Sequence, residues 1–126
     1  MAQERASHKL YDYATNLYLS HQKKGNLTLD ICRKCCGIYE QEIRLKPAFP
    51  DSYLLLGIVL RHRALLQMTQ DSHARGIVQM LNTSLDQLSM AIELDGTLSE
   101  KAETEIEKTR ALRNQISAIL ELAYRN

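Results

Sequence analysis

From Leu10 to Ala123 the apolar residues recur every three or four positions, with no sustained alternation. That spacing puts them on one side of a 3.6-residue helix and leaves no template for a half-buried strand. Four short stretches interrupt it: Gly25-Asn26, Lys46 to Asp51 with its two prolines, Gln70-Asp71-Ser72-His73, and Asp95-Gly96. Glycine accepts the left-handed backbone that closes a helix, the residue before proline avoids helical dihedrals, and Pro50 suits a first helical turn. The chain therefore predicts five helices. The first runs from about Glu4 to Lys23, and the second from a cap at Asn26 or Thr28 to Lys46. The third runs from Pro50 to about Met68, and the fourth from a cap at Asp71 or Ser72 to Leu94. The fifth spans about 99–125, opened by a Thr97–Glu100 capping box, with Ser99 competing as cap. Connections this short make neighbouring helices antiparallel. The expected fold is all-α, about five antiparallel helices.

A chain of 126 residues is the length of one ordinary domain. We expect a single unit, 1–126, made of a first hairpin (about 4–46), a second (about 50–95) and a closing helix (about 99–125). Sixteen basic against fifteen acidic residues leave a formal charge of +1. This balance argues against a polycationic nucleic-acid binder or a supercharged membrane binder. The longest apolar run, Tyr53 to Leu60, ends at Arg61-His62-Arg63 after eight residues. A membrane span needs about twenty, so the run reads as buried helix and no span is expected. Met1 to Lys9 is polar and lacks a secretory core. Three crowded cysteines, an odd number, cannot form a disulfide framework, and the expected location is cytoplasmic.

Within the helical pattern a segment repeats. Glu42-Ile43-Arg44-Leu45-Lys46-Pro47 matches Ala91-Ile92-Glu93-Leu94-Asp95-Gly96, forty-nine residues on, and each closes the second helix of a pair. A helical hairpin that cannot bury its apolar face alone occurs twice and is then capped. The string Ala91-Ile92-Glu93-Leu94-Asp95, the spacing Tyr53-Leu54-Leu55-Leu56-Gly57, the turn residue Gly25, and Cys35 with Tyr39 between helices resemble the tetratricopeptide repeat. That resemblance implies a non-enzymatic interaction module (adaptor, assembly factor or chaperone-like binder). Its groove would be lined by the first helix of each hairpin. On it, Leu54, Ile58, Arg61 and His62 line the groove from the second hairpin, and Thr15, Leu19 and Lys23 from the first. A groove with an apolar floor and a basic end suits an amphipathic helix or an acidic peptide. Replacing Arg61 and His62 by alanine would then weaken binding and leave the melting temperature almost unchanged. The alternative is that Arg61 and Arg63 are solvated or pair with Asp51 or Asp71. Thr15, Leu19 and Leu55 stand where that family's carboxylate clamp has lysines and asparagines, so capture of a carboxyl tail is not expected.

Other chemistries leave weaker traces. Cys32-Arg33-Lys34-Cys35-Cys36 invites a metal or thiol reading, but the thiols fall inside a helix and no second ligand pair completes a zinc set. They read as small side chains filling a helix–helix gap, with a reactive Cys35 or Cys36 as the enzyme alternative. His8, His21, His62 and His73 are scattered, without i,i+4 ligand spacing. No phosphate loop or nucleophile elbow is present. No catalytic residue, metal or cofactor is therefore expected. Glu103, Glu105 and Glu107, with basic neighbours, read as a solvated face. Residues 1–50 carry eight basic and five acidic groups, residues 51–100 three and six. The basic first half (Lys23-Lys24, Arg33-Lys34) gives only a faint RNA reading. Ile116, Ile119, Leu120 and Leu122 make the end of the fifth helix apolar on two sides, the pattern of a self-associating scaffold or homodimer.

Overall fold

In the computed structural model, which describes residues 8–70 and 74–125, five helices follow one another and the described residues contain no strand. They are α1 (Lys9–Lys24), α2 (Leu29–Leu45), α3 (Pro50–Gln70), α4 (Ala74–Leu94) and α5 (Ser99–Arg125), with a single 3-10 turn, Gly96–Leu98, before α5. The expected start of α1 at Glu4, and the Asp71-Ser72-His73 turn with its cap, lie outside the described residues. Gln70, expected in that turn, is the last residue of α3.

The helix ends follow local chemistry. Gly25, at φ 72°, stops α1 while its N–H and that of Asn26 bond the carbonyls of Gln22 and His21 at 3.2 and 3.0 Å. This pairing satisfies carbonyls that a helix end otherwise leaves open. Of the two candidate caps of α2, Thr28 does the work, its Oγ1 accepting from the Ile31 N–H at 3.2 Å. The expected Thr97–Glu100 capping box does not form. Asp95 acts instead, its Oδ1 accepting from the Thr97 N–H at 3.0 Å and from its hydroxyl at 2.6 Å. Thr97 lies inside the 3-10 turn and gives its hydroxyl proton to Asp95, so it does not stand at the cap position.

Each helix packs chiefly on the next in sequence, and the short connections make those neighbours antiparallel. α3 also touches α1 and α5, whereas α1 and α5 do not meet, and neither do α2 and α4. The result is an open array, with α1, α3 and α5 side by side along one face. The main core joins Ala14 and Tyr18 of α1, Cys32, Cys35, Cys36 and Tyr39 of α2, and the run Tyr53–Leu60 of α3 to Leu88, Ala91 and Ala102. A smaller cluster, Ala64, Ile77, Leu81 and Ile116, fills the other end.

The tightest approach is between α3 and α4. A Cβ at Gly57 would stand 2.6 Å from Leu88 Cγ and 3.1 Å from the Ser84 carbonyl oxygen, and the Ser84 hydroxyl donates to the Gly57 carbonyl at 2.6 Å. Only a bare Cα lets the backbones come this close. Gly57→Ala is expected to lower stability by about 1–3 kcal/mol through overpacking, read from urea denaturation. Gly37→Ala, on an exposed face with nothing near its Cβ, is the control and should stabilise slightly or leave stability unchanged.

Candidate interaction surface

The seven residues expected to line the groove separate into two groups. Leu54 and Ile58 are 3% and 7% exposed and belong to the main core, so they offer no open floor. Thr15 is half-buried and turned toward α2, its Oγ1 2.8 Å from the Tyr39 hydroxyl. Leu19 is 51% exposed and Lys23 is exposed one turn later on the same side of α1. His62 is half-buried, its ring 5.6 Å from that of Tyr18.

Arg61 corrects the expectation most sharply. Its side chain is 9% exposed and its Nη1 lies 2.6 Å from Glu105 Oε2. The same nitrogen donates to the Glu105 carbonyl at 3.3 Å and to Thr109 Oγ1 at 3.4 Å. Glu105 is itself largely buried and takes a second cation, Lys108, at 3.7 Å. Glu105 is thus no part of a solvated face, and the partner of Arg61 is neither Asp51 nor solvent. The carboxylate touches the guanidinium without a well-aligned hydrogen bond, so the pair is held mainly by charge and by the two neighbouring acceptors. Removing one member of such a pair leaves a buried charge uncompensated, which costs about 3–5 kcal/mol. Arg61→Ala should therefore lower the melting temperature markedly, contrary to the expectation for a surface residue. In a double-mutant cycle with Glu105→Ala the combined loss should fall short of the sum of the two single losses.

The cysteines are free and fully buried. Burial pushes the Cys36 thiol up to about 12 and the Cys32 thiol up to about 11, the latter helped by Cys35, while Arg63 pulls both the other way. Cys35 is also raised by burial, and its Sγ donates to the Ala14 carbonyl at 3.4 Å. Protonated thiols packed between α1, α2 and α3 are poor nucleophiles at neutral pH. Among the described residues no group of three His, Cys, Asp or Glu side chains could hold a metal ion. The basic residues Arg33 and Lys34 are engaged locally, Arg33 with Asp30 and Gln67, and Lys34 over the Tyr13 ring.

On α5 the expected self-association set also divides. Ile116 is buried in the smaller core and Leu120 is half-buried, whereas Ile119 and Leu122 are 59% and 60% exposed. Arg113 on α5 bonds Asn82 on α4, a register that sets the exposed Ile119 and Leu122 level with the start of α4.

Two depressions mark the junction of α1 and α3. One is lined by Gln22, Gly25, Leu27, His62, Leu65 and Leu66. The other is lined by His8, Tyr11, Asp12, Phe49 and Asp51. Eleven residues separate Tyr11 from Gln22, and eleven separate Asp51 from His62. Eleven residues are three turns to within about 20°, so both depressions lie along one seam about 16 Å apart. The aromatic-acidic depression escaped the sequence reading because its residues come from α1, the α2–α3 connection and α3, with no shared spacing. Comparison with known proteins finds no matching family model, no matching curated protein and no matching solved structure. The tetratricopeptide resemblance rests on the motifs alone. No described helix is long and apolar enough to cross a membrane.

Burial, and then the Arg61 charge, hold the His62 imidazole below its usual range, with Glu105 opposing. A histidine whose folded pKa is depressed contributes stability above its unfolded pKa, and that contribution is lost as pH falls through the folded value. Stability should accordingly decline on acidification below about pH 6.5, the unfolded histidine value. His62→Gln should flatten that part of the profile, measured by urea midpoints between pH 7 and 5.

Proposed function

We propose that the chain is a non-enzymatic interaction module, adaptor- or chaperone-like, that receives a segment of another protein along the α1–α3 seam. The observation that carries this reading is the depression beside His62. Leu27, Leu65 and Leu66 give it an apolar floor, exposed Leu19 extends the apolar surface on α1, and Lys23 stands at its edge. A half-exposed apolar floor edged by a cation fits an amphipathic helix with an acidic flank. The receiving surface is thus Leu19, Lys23, His62 and Leu65, while Leu54, Ile58 and Arg61 hold the frame behind it. The cytoplasm is the proposed location, since three reduced cysteines are kept in the core.

A second reading is supported by exposed Ile119 and Leu122: a scaffold that pairs with its own copy through the end of α5. Photo-crosslinking separates the two. A crosslinking side chain at position 19 or 65 should give the same discrete heterologous adduct in native extract, and one at exposed position 86 should not. Lys23→Glu should reduce that adduct several-fold with little change in melting temperature, because it alters only surface charge. Adducts of twice the chain mass at position 122, with none at 19 or 65, would replace the first reading with the second.

A further inference from the structure

The first hairpin has an apolar side that no other helix of the chain covers. Lys34 of α2 lies over the Tyr13 ring of α1 at 5.3 Å, and the Cys35 thiol bonds the Ala14 carbonyl at 3.4 Å. Antiparallel helices in that register bring Leu10 level with Ile38, and Leu17 level with Ile31. α1 faces α3 through Tyr18, whose ring meets that of His62, and α2 faces α3 through Arg33, which bonds Gln67. Leu10, Tyr13 and Leu17 on α1, and Ile31, Ile38 and Leu45 on α2, lie on other sides of their helices, along the α1–α2 join. Leu10, Tyr13 and Leu45 are 39%, 48% and 62% exposed, and the other three are half-buried. Two apolar rows on adjoining helices make a groove for a third helix. Its end at Leu10 and Leu45 is apolar. Its other end carries exposed Lys24, while Asp30 there is taken by Arg33.

α5 carries a ridge with the same gradient. Glu100, Glu103, Glu107, Ala111, Ala118 and Leu122 are exposed, on the side opposite buried Ala102, Thr109 and Ile116. The ridge is acidic at the start of the helix and apolar at its end. Fifteen residues separate Glu107 from Leu122, about 22 Å of helix, and fourteen separate Lys24 from Leu10, about 21 Å. Among the described residues neither Lys24 nor these three glutamates takes part in an ion pair. Within one chain the ridge cannot reach the groove, because α1 and α5 do not meet.

We propose that α5 of a second copy of this chain lies in the α1–α2 groove, antiparallel to α1. Leu122 then packs against Leu10 and Leu45, and Glu107 stands against Lys24. In this direction the charges and the apolar ends match together, and in the reverse direction neither does. Groove against groove is a poorer solution, since it offers no ridge to fill either one. Two copies can exchange ridges about a twofold axis or link head to tail. The proposal rests on the self-pairing reading of α5 and supplies its counterpart. It uses the side of α1 away from Leu19, so a partner on the α1–α3 seam is not displaced.

The test is sedimentation velocity of the whole chain over a range of concentrations. Self-association should rise with concentration and weaken in high salt. Leu45→Glu, in the groove, and Leu122→Glu, on the ridge, should each weaken it about tenfold or more. Melting temperatures should barely change, because both side chains are exposed. Mixing the two variants should restore a complex that neither forms alone, since each keeps the surface that the other has lost. Weakening by Leu122→Glu alone, with no recovery on mixing, would overturn the groove and leave α5-to-α5 pairing standing. A chain that stays monomeric at every concentration would overturn both.

Discussion

A ten-residue stretch of α3, Ser52 to Arg61, is buried along its whole length, and the placement of the other four helices follows from covering it. A helix that is apolar all round has no solvent side, so it must be packed on every flank. α2 and α4 cover two flanks, and α1 and α5 lie along a third. Two polar features make this arrangement specific. Gly57 lets α4 come within touching distance at one register only, where Ser84 reaches its carbonyl. Arg61 ends the buried stretch by bonding across to Glu105 and Thr109 of α5. Apolar packing alone would tolerate sliding of α4 or α5 along α3. A glycine notch and a buried ion pair do not.

The helices were legible in the sequence because their boundaries are local. Gly25, Thr28, Pro50 and Asp95 each act through neighbours within four residues, the range over which spacing rules hold. The faces of α2 and α4 were legible for the same reason, since each has one apolar stripe, whereas on α1 the regularly spaced Leu10 and Tyr13 are exposed and Tyr11 packs on the core. α3 defeated that logic. With Leu54, Ile58 and Arg61 expected to line a groove, α3 was given an open side, yet a helix packed on several flanks has none. The signal was present in the unbroken run from Tyr53 to Leu60, which has no polar position to serve as an outside. Glu105 was misread for a different reason. Its partner lies forty-four residues away in sequence, and only the packing of α5 against α3 brings the two together.

The same fact moves the candidate surface. With the middle of α3 sealed, the seam offers a depression near each end, with exposed Leu19 of α1 between them. At one end His62 leans on Tyr18 above an apolar floor, and at the other two carboxylates sit among three aromatic rings. Neither would be found by looking for a stripe. Both form where two parallel helices meet a connecting loop, so they are properties of the packing.

Because α1 and α5 never meet, the array is open at both edges, and the seam is rigid only through what lies behind it. Under the proposed function this division of labour has a physical basis. The buried ion pair and the cysteine-lined gap hold α1, α3 and α5 in register, and the exposed residues are then free to be chosen for contact. A segment lying along the seam would meet acidic charge at one end and basic charge at the other, about 16 Å apart. Reversing its direction would set like charges together at both ends. A surface with that asymmetry selects orientation as well as composition, and orientation is what a uniformly apolar groove cannot supply.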